Sequence, residues 1–215
     1  MWKIANDKAN KNGLRSTFYS VNKDEYTGEW KNNKRHGNIF NSRGTYKWNS
    51  KGLMYEGDWI NGKRHGFGVL SVIGEDMKHR KIYAGSWKND MRDGFGENCY
   101  SDKEFYEGEW TKDLRSGWGR MYCKDGSIYE GRWREDKRCG DGMLRLPNEN
   151  RFEGSWLNDM KNGRGKFFFL NSGQMMEGVW VNDIPKCCQM TDIGREQASR
   201  PTEFPIPEVT FIEFC

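Results

Sequence analysis

The sequence predicts an all-β fold in which β-hairpins follow one another as a single-layer antiparallel meander. Three observations support this fold: a short aromatic motif recurs along the chain, a glycine follows it at a fixed distance, and no segment of helical length separates the copies. Strands joined by short connections usually pair with their neighbours in sequence. We therefore expect an elongated, twisted, solenoid-like sheet, with an extended C-terminal tail after the last hairpin.

The first strand of each hairpin carries the motif aromatic-x-Gly-x-Trp. Its seven copies begin at Tyr26, Tyr55, Tyr83, Tyr106, Tyr129, Phe152 and, with methionine in the aromatic place, Met176. Alternate residues of a strand share a face, so the ring, the glycine and the tryptophan are expected on one side of the sheet. The motif glycines lie 29, 28, 23, 23, 23 and 24 residues apart, which leaves room for two strands and a turn but for no helix.

The second strand carries a glycine nine residues after the motif glycine in each of the first six copies. In five of them this glycine opens a Gly-x-Gly, and both Gly66 and Gly68 of the second copy are expected to leave room for neighbouring rings. Between the strands lie tight turns such as Asn61-Gly62 and Asn89-Asp90, whose residue types tolerate positive φ. In the seventh copy the same distance leads to Cys187, so this copy has lost its second half.

The chain is expected to have three parts. Residues 1–22 form an N-terminal degenerate half-repeat, residues 23–189 form an array of seven repeats with a degenerate last copy, and residues 190–215 form an extended tail with three prolines. Within the first copy Gly44 takes the place of the second glycine. Residues 38–43 are therefore interpreted as an insertion.

A unit of 23 residues with Tyr-Glu-Gly-x-Trp, a turn and Gly-x-Gly resembles the MORN repeat. The resemblance covers residues 10–188 and is specific because the motif recurs in register. It implies an elongated, gently twisted sheet. It also implies a non-enzymatic scaffold for protein–protein assembly, because short MORN proteins without a further domain are associated with the cytoskeleton, with cilia and sperm flagella, and with male germ-cell differentiation.

The partners that the resemblance implies are cytoskeletal or axonemal proteins, including tubulin. The implied location is the cytoplasm, the axoneme of a cilium or flagellum, or the sperm acrosome. An alternative function is a module that binds phosphoinositides or other anionic phospholipids weakly and tethers the protein to a membrane. Oligomerisation through an exposed strand edge is also open. Enzymatic activity is not expected, since roughly 25 residues after the last repeat are too few for a catalytic domain.

The composition excludes other classes of protein. Only 35% of the residues are hydrophobic, but 14% are aromatic, which indicates a core of rings rather than a disordered chain. A net charge of +4 does not demand a nucleic-acid partner, and none is expected. Neither a run of twenty apolar residues nor a signal peptide is recognisable. The six cysteines have no CxxC spacing and are expected to be reduced.

The motif rings form the first candidate binding surface, here called the aromatic face. It consists of Tyr26, Trp30, Tyr55, Trp59, Tyr83, Trp87, Tyr106, Trp110, Tyr129, Trp133, Phe152 and Trp156. A single-layer sheet cannot cover both of its faces, so this surface is expected to bind a partner helix or segment. The alternative is that rings and glycines pack on one another as the core, and the two roles are compatible.

The second candidate surface, here called the basic ladder, has one residue two positions before each second-strand glycine. It consists of Arg35, Arg64, Arg92, Arg115, Arg138 and Lys161, with Lys11 in the half-repeat. One interpretation is a surface for anions or acidic partners, with steps of roughly 10 Å. The favoured interpretation is structural: each residue pairs with the glutamates that precede the motif glycines, such as Glu56 and Glu107, or lies on a ring.

No catalytic, cofactor or metal site is expected. The stretch GKRHGFG at 62–68 lacks the following helix that a phosphate-binding loop requires. His36 and His65 occupy equivalent positions of adjacent hairpins. Such positions lie about 10 Å apart, too far for two ligands of one zinc ion, so we interpret them as surface histidines.

Overall fold

The computed structural model describes residues 11–37, 43–74, 78–170 and 172–193, and these are almost entirely β. The sixteen strands, in order, are β1 (Gly13–Tyr19), β2 (Glu25–Lys31), β3 (Lys34–His36), β4 (Gly44–Trp48), β5 (Leu53–Ile60), β6 (Lys63–Ile73), β7 (His79–Lys88), β8 (Met91–Ser101), β9 (Glu104–Thr111), β10 (Leu114–Tyr122), β11 (Ile128–Arg134), β12 (Lys137–Arg145), β13 (Arg151–Leu157), β14 (Met160–Phe169), β15 (Gln174–Val181) and β16 (Ile184–Asp192). They form one antiparallel sheet in which sequence neighbours pair, except that β3 and β4 both pair with β2. The predicted all-β meander is confirmed.

The turns within the hairpins have positive φ at both central residues, as the sequence predicts. Asn89 and Asp90 have φ values of 54° and 74°, and Asn61 and Gly62 have 53° and 84°. Two such residues make a turn whose twist matches the twist of the paired strands. The turn at Glu135 has the same geometry, although glutamate is not a typical turn residue.

The two glycines of each Gly-x-Gly have different roles, which corrects the prediction made for Gly66. The pairing of β5 with β6 shifts register between Gly57 and Trp59, so Asp58 bulges. Gly66 lies opposite this bulge with a φ of 60°, and a Cβ there would lie 3.0 Å from the Cβ of Asp58 rather than against a ring. Only Gly68 makes room for an aromatic side chain. Gly66 is required by the left-handed backbone of the bulge.

The first copy contains the expected interruption. Strand β3 pairs with Trp30 and its neighbours, while β4 pairs with the other end of β2, from Glu25 to Thr27. Together they occupy the place of one long second strand. Gly44 pairs with Gly57, as the second glycine does elsewhere. Residues 38–42 of the predicted insertion lie outside the described residues.

The chain divides into two compact units, residues 1–117 and residues 118–215. The buried core of the first unit contains Tyr26, Tyr55, Trp59, Tyr83, Trp87, Tyr106 and Trp110, and that of the second contains Met121, Ile128, Tyr129, Trp133, Met143, Phe152, Trp156 and Trp180. Motif rings therefore supply most of each core.

The predicted boundaries 1–22, 23–189 and 190–215 stay predictions, and residues 1–10 and 194–215 lie outside the described ranges. Within those ranges, no helix has the length and apolar character needed to cross a bilayer.

Candidate functional site

The motif tyrosine lies against two glycines, one in its own strand and one in the strand opposite. Gly57 and Gly68 are paired across β5 and β6, and a Cβ on Gly57 would lie 2.6 Å from the Tyr55 hydroxyl. The second unit repeats this arrangement, since a Cβ on Gly142 would lie 2.8 Å from Cζ of Tyr129. Such contacts are too short for any side chain in a packed interior. Both glycines are therefore needed for the ring to lie on the sheet.

The motif tryptophan links each hairpin to the hairpin before it. Trp87 packs edge-on against Tyr83 of its own strand, with ring centroids 5.0 Å apart, and against Tyr55 of the preceding hairpin at 5.5 Å. Its indole N–H donates a hydrogen bond to the carbonyl oxygen of Gly68 at 3.1 Å. Edge-to-face ring pairs and a satisfied buried donor both stabilise the contact between hairpins.

Eleven of the twelve residues of the aromatic face are no more than 5% exposed, and Trp30 is half-buried. These rings pack on one another and on the glycines, which is the core arrangement. Their further role in partner binding stays a prediction.

Burial also sets the ionisation of the motif tyrosines. It raises the pKa of Tyr26, Tyr55, Tyr83 and Tyr129 above the usual range. A nearby arginine, such as Arg138 beside Tyr129, lowers the pKa but less strongly. Each hydroxyl stays protonated and donates to a backbone carbonyl three residues later, as Tyr83 does to Ser86 at 3.0 Å.

The arginines of the basic ladder bind the turn of the following hairpin. Arg64 binds Asp90 in three ways: its backbone N–H and Nε donate to Oδ1 at 2.9 and 3.3 Å, and Nη2 donates to the carbonyl oxygen at 2.8 Å. The guanidinium also lies 4.0 Å from the centre of the Trp87 ring. Arg92 with Asp113 and Arg138 with Asp159 repeat these contacts. We call this contact between a ladder residue and the next turn a rung.

Two ladder residues depart from this pattern. Arg35 donates to the carbonyl oxygen of Gly62 at 2.9 Å, since this turn has no aspartate. The Lys161 ammonium lies 3.6 Å from the Asp183 carboxylate. Arg115 lies 5.8 Å from the centre of the Tyr106 ring, the same distance that separates Arg92 from the Tyr83 ring. The ladder has structural contacts throughout, and its role in binding a partner stays a prediction.

The acidic partners of the ladder are the turn aspartates, not the strand glutamates that the sequence suggested. The glutamates before the motif glycines project from the opposite face, because side chains alternate along a strand. There they pair with other basic residues, as Glu130 does with Arg120 at 3.0 Å and Glu177 with Lys166 at 3.7 Å.

The structure shows a third row, here called the outer row, that the sequence motifs did not single out. It consists of the residue between the two glycines of each Gly-x-Gly: Phe67, Phe95, Trp118, Asp141 and Arg164. All five are exposed, and Phe67, Phe95 and Trp118 are 46%, 59% and 40% exposed. A signal for this row was present in the sequence, because the residue before a core-facing glycine such as Gly68 must point away from the core.

His36 and His65 are half-buried and His79 is exposed. Within the described ranges, no three His, Cys, Asp or Glu side chains are grouped closely enough to hold a metal ion.

Comparison with known proteins identifies the repeat. The model of the MORN repeat family matches residues 26–52, 55–71, 83–102, 106–128, 129–151 and 152–174. The chain is 61% identical over 210 residues to MORN repeat-containing protein 3 of Xenopus laevis, covering 97% of this chain and 86% of that protein. It is 62% identical over 214 residues to the Homo sapiens protein of the same name, covering 99% and 87%. These names describe a repeat and no reaction. The chain therefore belongs to the MORN repeat family.

Proposed function

We propose that the chain is a non-enzymatic scaffold that mediates protein–protein assembly in the axoneme of cilia or flagella or in sperm-forming cells. The observation that supports a scaffold is the outer row, in which the same backbone position is exposed in five repeats but changes from phenylalanine and tryptophan to aspartate and arginine. A constant frame with a variable surface row is how repeat proteins recognise specific partners. The axonemal setting rests on the resemblance to short MORN proteins.

Two aromatic side chains of the first unit make the outer row a candidate contact surface. Phe67 lies opposite Ser86 across β6 and β7, and Phe95 lies opposite Glu109 across β8 and β9. Rings exposed by about half and surrounded by polar residues are typical of protein contact sites. In the second unit the same positions carry an aromatic, an acidic and a basic residue, so the two units favour chemically different partners.

The state of the basic ladder favours a protein partner over an anionic membrane. Attraction to lipid depends on unpaired charges near the surface. Arg64, Arg92 and Arg138 already pair with carboxylates in their rungs, at 3.0 to 3.3 Å. Paired arginines attract anionic lipid less than their number suggests.

Proximity labelling in ciliated or male germ cells tests the proposal. The wild-type chain is expected to label cytoskeletal proteins, and the double variant Phe67→Ser/Phe95→Ser is expected to lose them while its thermal stability is unchanged. Leu157→Ser is the matched control, because Leu157 is an equally exposed apolar residue outside the outer row. Labelling of metabolic enzymes alone, or salt-sensitive binding to anionic liposomes without protein partners, would overturn the proposal.

A further inference from the structure

The rung of the first full copy, formed by Arg35 and the turn at Gly62 and here called the first rung, lacks the carboxylate that Arg64, Arg92 and Arg138 bind. In three rungs the structure shows what this geometry binds: the backbone N–H and Nε of the arginine both donate to one aspartate oxygen. At the first rung the backbone contacts are kept, since Gly62 donates to the Arg35 carbonyl at 2.8 Å and accepts from Nη2 at 2.9 Å. Glycine has no side chain to complete the rung. Arg35 forms no ion pair with any described residue.

A cavity of about 250 Å³ lies beside this rung in the first unit. Its lining includes Lys34, Arg35 and Gly62 on the side of the rung, and Tyr46, Trp30 and Asp24 among the residues around it. Lys11 adds a further positive charge, with its ammonium 5.0 Å from the centre of the Trp30 ring. Two basic groups against one carboxylate in the lining, with Lys11 close to Trp30, make the site attractive to an anion.

Two buried polar atoms of the cavity lining lack hydrogen-bond partners among the described residues. Asp24 is 9% exposed; its Oδ2 accepts from the Tyr46 hydroxyl at 3.0 Å, but its Oδ1 has no donor. The indole N–H of Trp30 has no acceptor. In the next five hairpins the equivalent indole donates to a glycine carbonyl, as Trp59 does to Gly44 at 3.0 Å. A buried polar atom without a partner is costly, so such atoms indicate a ligand.

We propose that the first rung and its cavity bind an acidic segment of a partner protein, whose Asp or Glu carboxylate takes the place that the turn aspartates occupy in other rungs. The carboxylate accepts from Arg35. Asp24 Oδ1 and the Trp30 indole nitrogen are closed to solvent, so the side chains over them must move when the segment enters; its peptide groups then supply an N–H for the first and a C=O for the second. These two needs favour a peptide over a free small carboxylate. The site is separate from the outer row and does not depend on the axonemal setting.

The substitution Gly62→Asp provides the sharpest test because it supplies the missing carboxylate from the chain itself. The turn has room for it: a Cβ at Gly62 would be 4.0 Å from the nearest atom, and the φ of 84° is close to the 74° of Asp90. Gly62→Asp is expected to raise the melting temperature and to weaken peptide binding. A mutation that merely damaged the fold would lower the melting temperature as well as the affinity for the peptide.

Binding is measured by fluorescence polarisation with a short labelled peptide of alternating glycine and aspartate, beside the same peptide with asparagine. The wild-type chain is expected to bind the aspartate peptide at least about tenfold more tightly, as a charge-assisted hydrogen bond implies. Gly62→Asp and Arg35→Gln are each expected to weaken it by at least about tenfold. Lys63→Gln is the control. Lys63 follows Gly62 in the chain but does not line the cavity, so this substitution removes a nearby positive charge and leaves the site intact.

Three results would overturn the proposal. The first is equal binding of the two peptides, and the second is an equal loss in Arg35→Gln and Lys63→Gln. The third is peptide binding that survives Gly62→Asp. Displacement of the peptide by acetate at low concentration would reduce the site to one for small carboxylates. Conversion of a dimer into a monomer by Gly62→Asp, seen by sedimentation equilibrium, would make a second copy of the chain the occupant.

Discussion

Two hairpins differ in the side chain that covers their paired strands. One is formed by β11 and β12, and the other, the last hairpin, is formed by β15 and β16. In the first, Tyr129 is buried and lies against the paired glycines Gly131 and Gly142. In the last, Met176 takes the tyrosine's place and is half-buried, and the glycine opposite Gly178 is replaced by Cys188. All nine residues of β16 are exposed, whereas β12 has a buried centre.

This difference shows what the glycine pair is for. Where a rigid ring lies on the sheet, both strands below it must lack side chains. Where the ring is replaced by a flexible methionine, only one glycine remains and the other position carries a thiol. The glycines therefore follow the rings and are not a general requirement of the hairpin.

The largest expected effect comes from placing a side chain under the ring. Gly142→Val is expected to destabilise the protein by about 3 kcal/mol or more, because the new methyl groups overlap the Tyr129 ring. Cys188→Ala in the last hairpin is the matched control and is expected to change the free energy of unfolding by less than about 0.5 kcal/mol. Urea denaturation followed by tryptophan fluorescence measures both.

A double substitution sharpens this comparison. Tyr129→Met with Gly142→Cys transfers the last hairpin's residues to an interior hairpin. The double variant is expected to lose less free energy of unfolding than the two single variants lose together, since methionine can move away from the thiol. Additive or worse costs would contradict the idea that glycine is needed only under a ring.

A smaller effect is expected for the rungs, whose coupling energies should differ between an arginine pair and a lysine pair. Arg138 donates Nε to Asp159 Oδ1 at 3.2 Å and lies 4.4 Å from the Trp156 ring centre, whereas the Lys161 ammonium is 3.6 Å from Asp183. Double-mutant cycles with alanine are expected to give a coupling energy of about 1 kcal/mol for the arginine pair and roughly 0.3 kcal/mol for the lysine pair. Equal couplings would show that the planar guanidinium adds nothing to the rung.

The sequence was sufficient for the parts of the fold that are local and periodic. The motif places Tyr55, Gly57 and Gly68 in one hairpin, and the turn at Asn61 fixes its register, so the ring-on-glycine contact could be predicted. The bulge at Asp58 could not, because alternation assumes a regular strand, and Gly66 was therefore misassigned. The partner of Arg64 was missed for a different reason. Asp90 belongs to the turn of the next hairpin, and its distance from Arg64 depends on how consecutive turns stack in three dimensions.

The ring-bearing hairpins are also expected to lose stability in alkali. The native state holds the Tyr129 proton more tightly than the unfolded chain does, because burial raises the pKa of its hydroxyl. Above about pH 10 the unfolded state releases that proton first, so the free energy of unfolding falls as pH rises. Tyr129→Phe is expected to make this fall less steep, which denaturant titrations at increasing pH would show. Met176 has no proton to lose, so Met176→Leu should leave the slope unchanged.

Thiol reactivity gives the smallest expected effect and contrasts the last hairpin with strand β8 of the first unit. Cys187 and Cys188 are exposed in β16, whereas Cys99 is half-buried in β8. Burial, with the nearby Glu97 carboxylate, raises the pKa of the Cys99 thiol to about 11. At about pH 8 only roughly one Cys99 in a thousand is then a reactive thiolate. A brief pulse of iodoacetamide followed by mass spectrometry is expected to modify Cys187 and Cys188 well before Cys99, and the difference should vanish in urea. Equal rates in the native protein would mean that β8 opens as readily as β16.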